Sequence, residues 1–256
     1  MQRIDMILVT RALASSRTHA QRLIRDGRVQ AHLNNAWQCI AKPGLKLDPD
    51  TELRVSADPQ DRFVSRGALK LLGALEQLQL DPTGMVAIDV GQSTGGFTDC
   101  LLQHGAAAVV GIEVGHDQLD ARLRADPRVT CLEGVNARAL DPLQLLPLSR
   151  DSAGFDLAVM DVSFISQTKI LPSLVPLIRA GGRLISLVKP QFEVGRSGIG
   201  KGGIVRDESL YTEVEATIRR HCESLGLCIQ HYMPSPITGG DGNREFLLIG
   251  VKTESR

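Results

Sequence analysis

The chain has 256 residues, 29 basic side chains against 29 acidic ones, and 43% apolar residues. That is room for one large α/β domain plus a small module, and a net charge of zero excludes a global field for nucleic acid, so any basic face must be local. Five scattered cysteines (Cys39, Cys100, Cys131, Cys222, Cys228) form no Cys-x-x-Cys pair and six histidines form no cluster, which argues for free thiols in a reducing cytoplasm and against a metal site. A secretion signal and an apolar span long enough for a bilayer are both missing, so we expect no membrane segment.

In chain order, Ile4, Leu8, Val9 and Leu13 have helical spacing, as do Ala20, Leu23 and Ile24. Ser15-Ser16-Arg17 starts the second helix and Gly27 stops it. Short apolar pieces follow around turns: Val29-Gln30-Ala31, Leu33, and Leu53-Arg54-Val55 beyond Pro43-Gly44. Trp37, the single tryptophan, is read as core. Arg3, Arg11, Arg17, Arg22, Arg25 and Arg28 outnumber Asp5 and Asp26 here, a local positive face suited to phosphate. The pattern alone leaves an ordinary solvated helix face equally open. The stretch from Arg3-Ile4-Asp5 to Gly27-Arg28-Val29 resembles the S4 RNA-binding domain, two helices and a small sheet, and that resemblance implies RNA. We expect a small α+β S4 domain over 1–60, a linker region over 59–66 and a second domain over 61–256.

From Phe63 onward strands and helices alternate, with strands expected at 86–90, 108–113, 129–133, 157–161, 183–188, 227–233 and 245–251. That is a doubly wound α/β sheet. The last connection lacks a helix pattern, so the last two strands pair antiparallel, as in the Rossmann-like methyltransferases that use S-adenosylmethionine. The stretch from Ala87 to Leu101 is strand, glycine-rich turn and helix, with Asp89 near the end of the strand. Ser93 and Thr94 are expected to cap the helix. The glycine spacing fits neither a P-loop nor a dinucleotide fingerprint, and Asp89 would repel phosphate. It suits a cationic amine such as the methionine part of S-adenosylmethionine, while Glu113, ending the next strand, can accept from ribose hydroxyls.

Asp161 and Lys189 end two further strands, and Glu245 begins the antiparallel one. In an open α/β sheet those positions face one crevice, which Lys70 could also reach. Each alone reads as a surface salt bridge. Together they offer a lysine base for a ribose 2′-hydroxyl: Lys189, oriented by Asp161 and Glu245 and tuned by Lys70. Lys189-Pro190-Gln191-Phe192 echoes the Asn-Pro-Pro-Tyr/Phe turn of amino-methyltransferases, but a lysine in first place argues against an amine acceptor.

Phe63 to Leu71, Asp89 to Asp99, Asp161 to Ser166, Val188 to Gly195 and Gly242 to Glu245 resemble the TlyA/hemolysin A family, which joins an S4 domain to an FtsJ-like 2′-O-methyltransferase. The resemblance implies a Lys70–Asp161–Lys189–Glu245 tetrad. It also implies cofactor contacts from Asp89, Gly91, Ser93, Thr94, Gly95, Gly96, Phe97, Glu113, Asn136 and Asp161. RNA contacts fall on Arg3, Arg17, Arg66 and Arg196, and the implied substrate is the cytidine 2′-hydroxyl of ribosomal RNA, with large-subunit RNA favoured. Two departures concern cofactor fit: Gln92 stands where a small residue is usual, and Glu133-Gly134-Val135-Asn136 lacks Arg-Thr. The alternatives are a membrane-active hemolysin and a ribosome-binding or assembly factor without catalysis.

Overall fold

The computed structural model describes residues 1–14, 16–56, 62–239 and 242–253; Ser15 of the expected helix start and residues 59–61 of the expected linker lie outside them. The chain divides into two compact units, Met1–Arg62 and Phe63–Arg256.

The first unit holds β1 (Gln2–Arg3), α1 (Ile4–Thr10), α2 (Arg17–Arg25), β2 (Val29–Leu33), β3 (Ala36–Cys39), β4 (Lys46–Leu47) and β5 (Leu53–Val55). Ser16 caps α2 by accepting from the His19 N–H at 3.1 Å. Ile4, Leu8, Leu23 and Ile24 meet Val29 and Ala31 of the sheet β3-β2-β5 in one small core. Val29 and Ala31 take the inner face, so their neighbours Gln30 and His32 take the outer one. Trp37 pairs in register with His32 and therefore lies outside, not in the core as its type suggested; the Arg54 guanidinium sits 3.9 Å above its ring.

Asp5 is fully buried. Its carboxylate accepts from Arg3 Nε (3.0 Å) and Nη2 (2.9 Å), Arg17 Nε (3.0 Å) and Gln21 Nε2 (3.0 Å). These bonds, Arg3's first, hold the Asp5 carboxyl well below the usual carboxylate range against the effect of burial. Removing one partner of a buried pair costs about 3–5 kcal/mol, and less where the cations are half exposed. Asp5→Ala is thus expected to destabilise this unit by roughly 2 kcal/mol in thermal melts at pH 7. A depressed carboxylate contributes stability above its unfolded value of 3.8 and loses it as pH falls below that, so wild type and variant converge in strong acid.

The second unit contains α3 (Ala68–Leu78), β6 (Val86–Val90), α4 (Gly96–Gln103), β7 (Ala108–Glu113), α5 (Ala121–Arg124), β8 (Val129–Glu133), α6 (Pro142–Leu145), β9 (Phe155–Met160), α7 (Leu171–Leu174), β10 (Ile178–Val188), α8 (Ser209–Ser224), β11 (Leu227–Pro234) and β12 (Phe246–Lys252). The strands form one sheet in the order β11-β12-β10-β9-β6-β7-β8, with β12 antiparallel to both neighbours. Two-residue alternation divides the side chains between two cores. Ala87, Val109, Leu157, Val159, Ile185 and Leu187 pack under α3 and α4. Ile88, Val90, Val110, Ile112, Ala158 and Leu184 pack toward α7 and α8. Strand ends differ slightly from the sequence pattern. β9 stops at Met160 and β12 starts at Phe246, so Asp161 and Glu245 stand one residue outside; β10 begins at Ile178, with a bulge before Arg183. Backbone bonds still fix both: Asp161 N–H donates to Val90 O at 3.0 Å, and Ser235 N–H to Glu245 O at 2.8 Å.

Candidate active site

Asp89 shares the alternation of Ala87, which turns it beneath α4. It is 1% exposed, and its Oδ2 accepts from Thr98 Oγ1 at 2.7 Å. Thr98 Oγ1 in turn accepts from Gln92 Nε2 at 2.9 Å. Gln92 is buried, lying over Gly111 of β7, where any Cβ would collide with its side chain. The unusual loop residue is therefore accommodated by a glycine on the neighbouring strand. Asp89 Oδ1 has no partner. Burial pushes the Asp89 carboxyl up to about 7, Thr98 opposes that, and the nearby Asp161 and Glu113 carboxylates add to it.

Gly91 has φ +84°, and a Cβ on it would collide with the Asp161 carbonyl, so no other residue fits without displacing the next strand end. The expected Ser93 or Thr94 cap is absent. α4 begins from Gly95 in the left-handed region without a side-chain cap, because Ser93 turns away and its Oγ meets Gln118 Oε1 at 3.2 Å. Ser93 N–H instead donates to Glu113 Oε2 at 2.8 Å, and Gly115 N–H to Glu113 Oε1 at 2.9 Å. Each Glu113 oxygen retains a lone pair for a further donor.

Three adjoining cavities open here. One of about 550 Å³ is lined by Ile112, Glu113, Asn136 and Ile165. One of about 200 Å³ is lined by Gly91, Ser93, Thr94, Gly96, Phe97 and Asp161. The third, about 370 Å³, is lined by Lys70, Phe164, Lys189, Gln191, Asn243 and Glu245. The lining of the first two fits S-adenosylmethionine: apolar walls such as Ile112 and Ile165 could take adenine and Glu113 could accept from ribose hydroxyls, while the unpartnered Asp89 oxygen is a buried acceptor that lines neither cavity. Asn136 lines the first cavity, and its side chain accepts from Arg138 N–H at 3.0 Å.

The four strand-end charges meet where the second and third cavities join. Lys70 Nζ lies 2.7 Å from Glu245 Oε2 and 3.8 Å from Asp161 Oδ2. Lys189 Nζ lies 2.6 Å from Asp161 Oδ1 and donates to Ser163 Oγ at 2.9 Å. The two shortest pairs are not aligned as hydrogen bonds, so Asp161 Oδ1 and Glu245 Oε2 remain buried acceptors beside positive charges.

The basic positions are dispersed. Arg66 and Arg196 are exposed in the second unit, whereas Arg3 and Arg17 of the first are both bonded to Asp5. Arg11 donates to the Thr51 and Pro49 carbonyls and Arg28 to the Ser56 carbonyl, so part of the arginine excess holds the small unit together. Sequence reasoning did not single out Thr98, Ser163 or Phe164. Phe164 is 91% exposed with φ +64°, between the first and third cavities; in Val-Ser-Phe-Ile it reads as apolar core, and only its backbone strain marks it.

The sheet order and the glycine loop over a buried carboxylate are those of a Rossmann-like methyltransferase that uses S-adenosylmethionine. The model of the FtsJ-like methyltransferase family matches residues 63–252 and that of the S4 domain residues 2–30. The 16S/23S rRNA (cytidine-2′-O)-methyltransferase TlyA of Mycobacterium tuberculosis is 42% identical over 96% of this chain and 88% of its own. Hemolysin A of Brachyspira hyodysenteriae is 34% identical over 96% and 98%. A solved structure from Streptococcus thermophilus superposes with TM-score 0.75 at 40% identity, covering 99% of this chain and 89% of the other. The chain belongs to the FtsJ-like methyltransferase family, in the TlyA/hemolysin branch that joins this fold to an S4 domain.

Proposed function

We propose that the chain methylates the 2′-hydroxyl of cytidine in ribosomal RNA, with Lys189 as general base, in the cytoplasm. The observation that carries this reading is the Glu245–Lys70–Asp161–Lys189 chain of contacts at the junction of the cofactor-side and acceptor-side cavities. The relatives' names supply the substrate class. Bound S-adenosylmethionine supplies an electrophilic methyl group on a sulfonium. The protein's task is to make a weak nucleophile strong as that methyl is attacked. Lys70 contacts both carboxylates, whereas Lys189 contacts Asp161 alone and lines both the second and the third cavity, where methyl donor and acceptor would meet. Ser163 accepts one Lys189 N–H and thereby orients the amine. The neutral amine takes the hydroxyl proton, and Asp161 Oδ1, at 2.6 Å, holds the resulting ammonium.

No helix among the described residues is long and apolar enough to cross a membrane, so nothing in the helices supports the hemolysin reading. The test is transfer of labelled methyl from S-adenosylmethionine to purified ribosomal subunits. Label in RNA supports the proposal; no label with either subunit or free rRNA contradicts it.

The exposed Phe164 ring, 5.1 Å from the Phe192 ring, suits a nucleobase turned out of its stack. Base–aromatic stacking is worth about 1–3 kcal/mol, so Phe164→Ala should lower kcat/KM for RNA roughly 5–150-fold. Steady-state kinetics with ribosomal subunits at saturating cofactor measure that loss.

A further inference from the structure

Two loops line the junction of the cofactor-side and acceptor-side cavities: 161–167, leaving β9, and 189–193, leaving β10. They meet at three successive points. Lys189 Nζ contacts Asp161 Oδ1 at 2.6 Å and Ser163 Oγ at 2.9 Å. The Phe192 ring packs on Phe164, centroids 5.1 Å apart. Glu193 then closes the series: its Oε2 accepts from Ser166 Oγ at 2.6 Å and its Oε1 from Gln167 N–H at 2.9 Å. Gln167, 2% exposed, ties the first loop back to β10 itself. Its Nε2 donates to Leu187 O at 2.6 Å and its Oε1 accepts from Ser186 Oγ at 2.8 Å.

We infer that Glu193 is a positioning residue that locks the Asp161 loop to the Lys189 loop and so fixes the amine and the exposed aromatic ring relative to each other. The inference rests on the proposed role of Lys189 and adds to it. The physical case is the pairing of donors and acceptors. Ser166 O–H and Gln167 N–H need two acceptors on one rigid group, and a carboxylate offers both. Burial raises the Glu193 carboxyl above its ordinary value, and these same two donors offset only part of that. Without Glu193 the loops still touch through the ammonium and the rings, but both those contacts are with flexible side chains. The first loop would then keep its backbone bond at Asp161, the Gln167 side chain and the local turn in which Lys169 and Ile170 N–H donate to the Ser166 and Gln167 carbonyls, none of which reaches the Lys189 loop. Displacements near 1 Å at a reacting centre cost on the order of 100-fold in rate.

The test uses the full chain with Glu193→Ala and Glu193→Gln. The Ala variant should lower kcat roughly 10–100-fold per folded molecule at saturating cofactor. The Gln variant should recover most of that rate. Its amide keeps one acceptor for Gln167 N–H and can donate to Ser166 Oγ, which is already 2.7 Å from Thr168 Oγ1. A second readout needs no substrate. With ¹³C-labelled lysine, the NMR titration of Lys189 reports its surroundings, namely Asp161 and Ser163 after β9, Lys70 of α3 and Glu245 before β12. Its midpoint should move in the Ala variant and return toward wild type in the Gln variant. An unmoved Lys189 titration with a rate loss that matches only the loss of folded protein overturns the inference. If wild type transfers no methyl to RNA, the proposed function fails, while the cofactor-free Lys189 titration still decides the positioning role.

Discussion

Lys189→Ala is expected to lower methyl transfer to RNA by about 10²–10⁴-fold while leaving cofactor affinity within a few-fold. The side chain is mostly buried and meets Asp161 and Ser163 where the second and third cavities join, whereas Glu113, which would hold the cofactor's ribose, lines the first, which Lys189 does not. Lys189→Arg separates base from charge: the guanidinium keeps the ion pair with Asp161 but cannot give up its proton near neutrality. It should be as inactive as the Ala variant. Stopped single-turnover assays with saturating cofactor make the comparison, and an Arg variant with wild-type rate would remove Lys189 from the role of base.

Asp89→Asn has the second large effect, and it acts in two directions. In the free protein the buried carboxyl titrates near 7 rather than 3.8. The native state therefore binds more protons than the unfolded chain between those values, so stability falls as pH rises from about 4 to about 7. At and above pH 7 the charged, buried group opposes folding by up to about 4 kcal/mol, from roughly three pKa units at 1.36 kcal/mol each. An isosteric amide removes that burden. The variant should melt higher than wild type at pH 8 and match it near pH 4. It should also bind S-adenosylmethionine at least about 100-fold more weakly, as expected when a buried charge partner is lost. In wild type the cofactor's positive charge favours the carboxylate, so binding releases a proton and affinity drops as pH falls below about 7. Calorimetry in buffers of different ionisation enthalpy measures that proton. Unchanged cofactor affinity in the Asn variant would contradict the assignment of Asp89.

Much of this was legible in the residues because two-residue alternation and strand ends carry the geometry. Asp89 reads as an odd polar residue in an apolar strand and lands under α4; Asp161, Lys189 and Glu245 read as charges at strand ends and meet within 4 Å of one another through Lys70. What stayed hidden depends on partners distant in sequence. Asp5 looked like a minor acid among arginines, yet it is the buried group that Arg3 and Arg17 hold, which redirects part of the basic face toward folding. Gln92 looked like a misfit, because nothing local shows that Gly111 of the next strand leaves room for it. Trp37 looked like core by residue type, but register with His32 sends it outward. Ser93 and Thr94 looked like caps, but Glu113 claims the Ser93 N–H and turns the loop away from that role. Glu193 appeared only inside the Val188 to Gly195 motif, and its role stayed hidden because its partners lie 26 and 27 residues earlier in the chain.

The central claim is that the acceptor is a ribose hydroxyl activated by Lys189. Nucleoside mass spectrometry of rRNA methylated by the purified protein tests it most directly. The account predicts 2′-O-methylcytidine, with the added mass on the ribose fragment and the adjacent phosphodiester resistant to alkali. A methyl group on a base nitrogen or carbon, with the ribose unmodified, would contradict it.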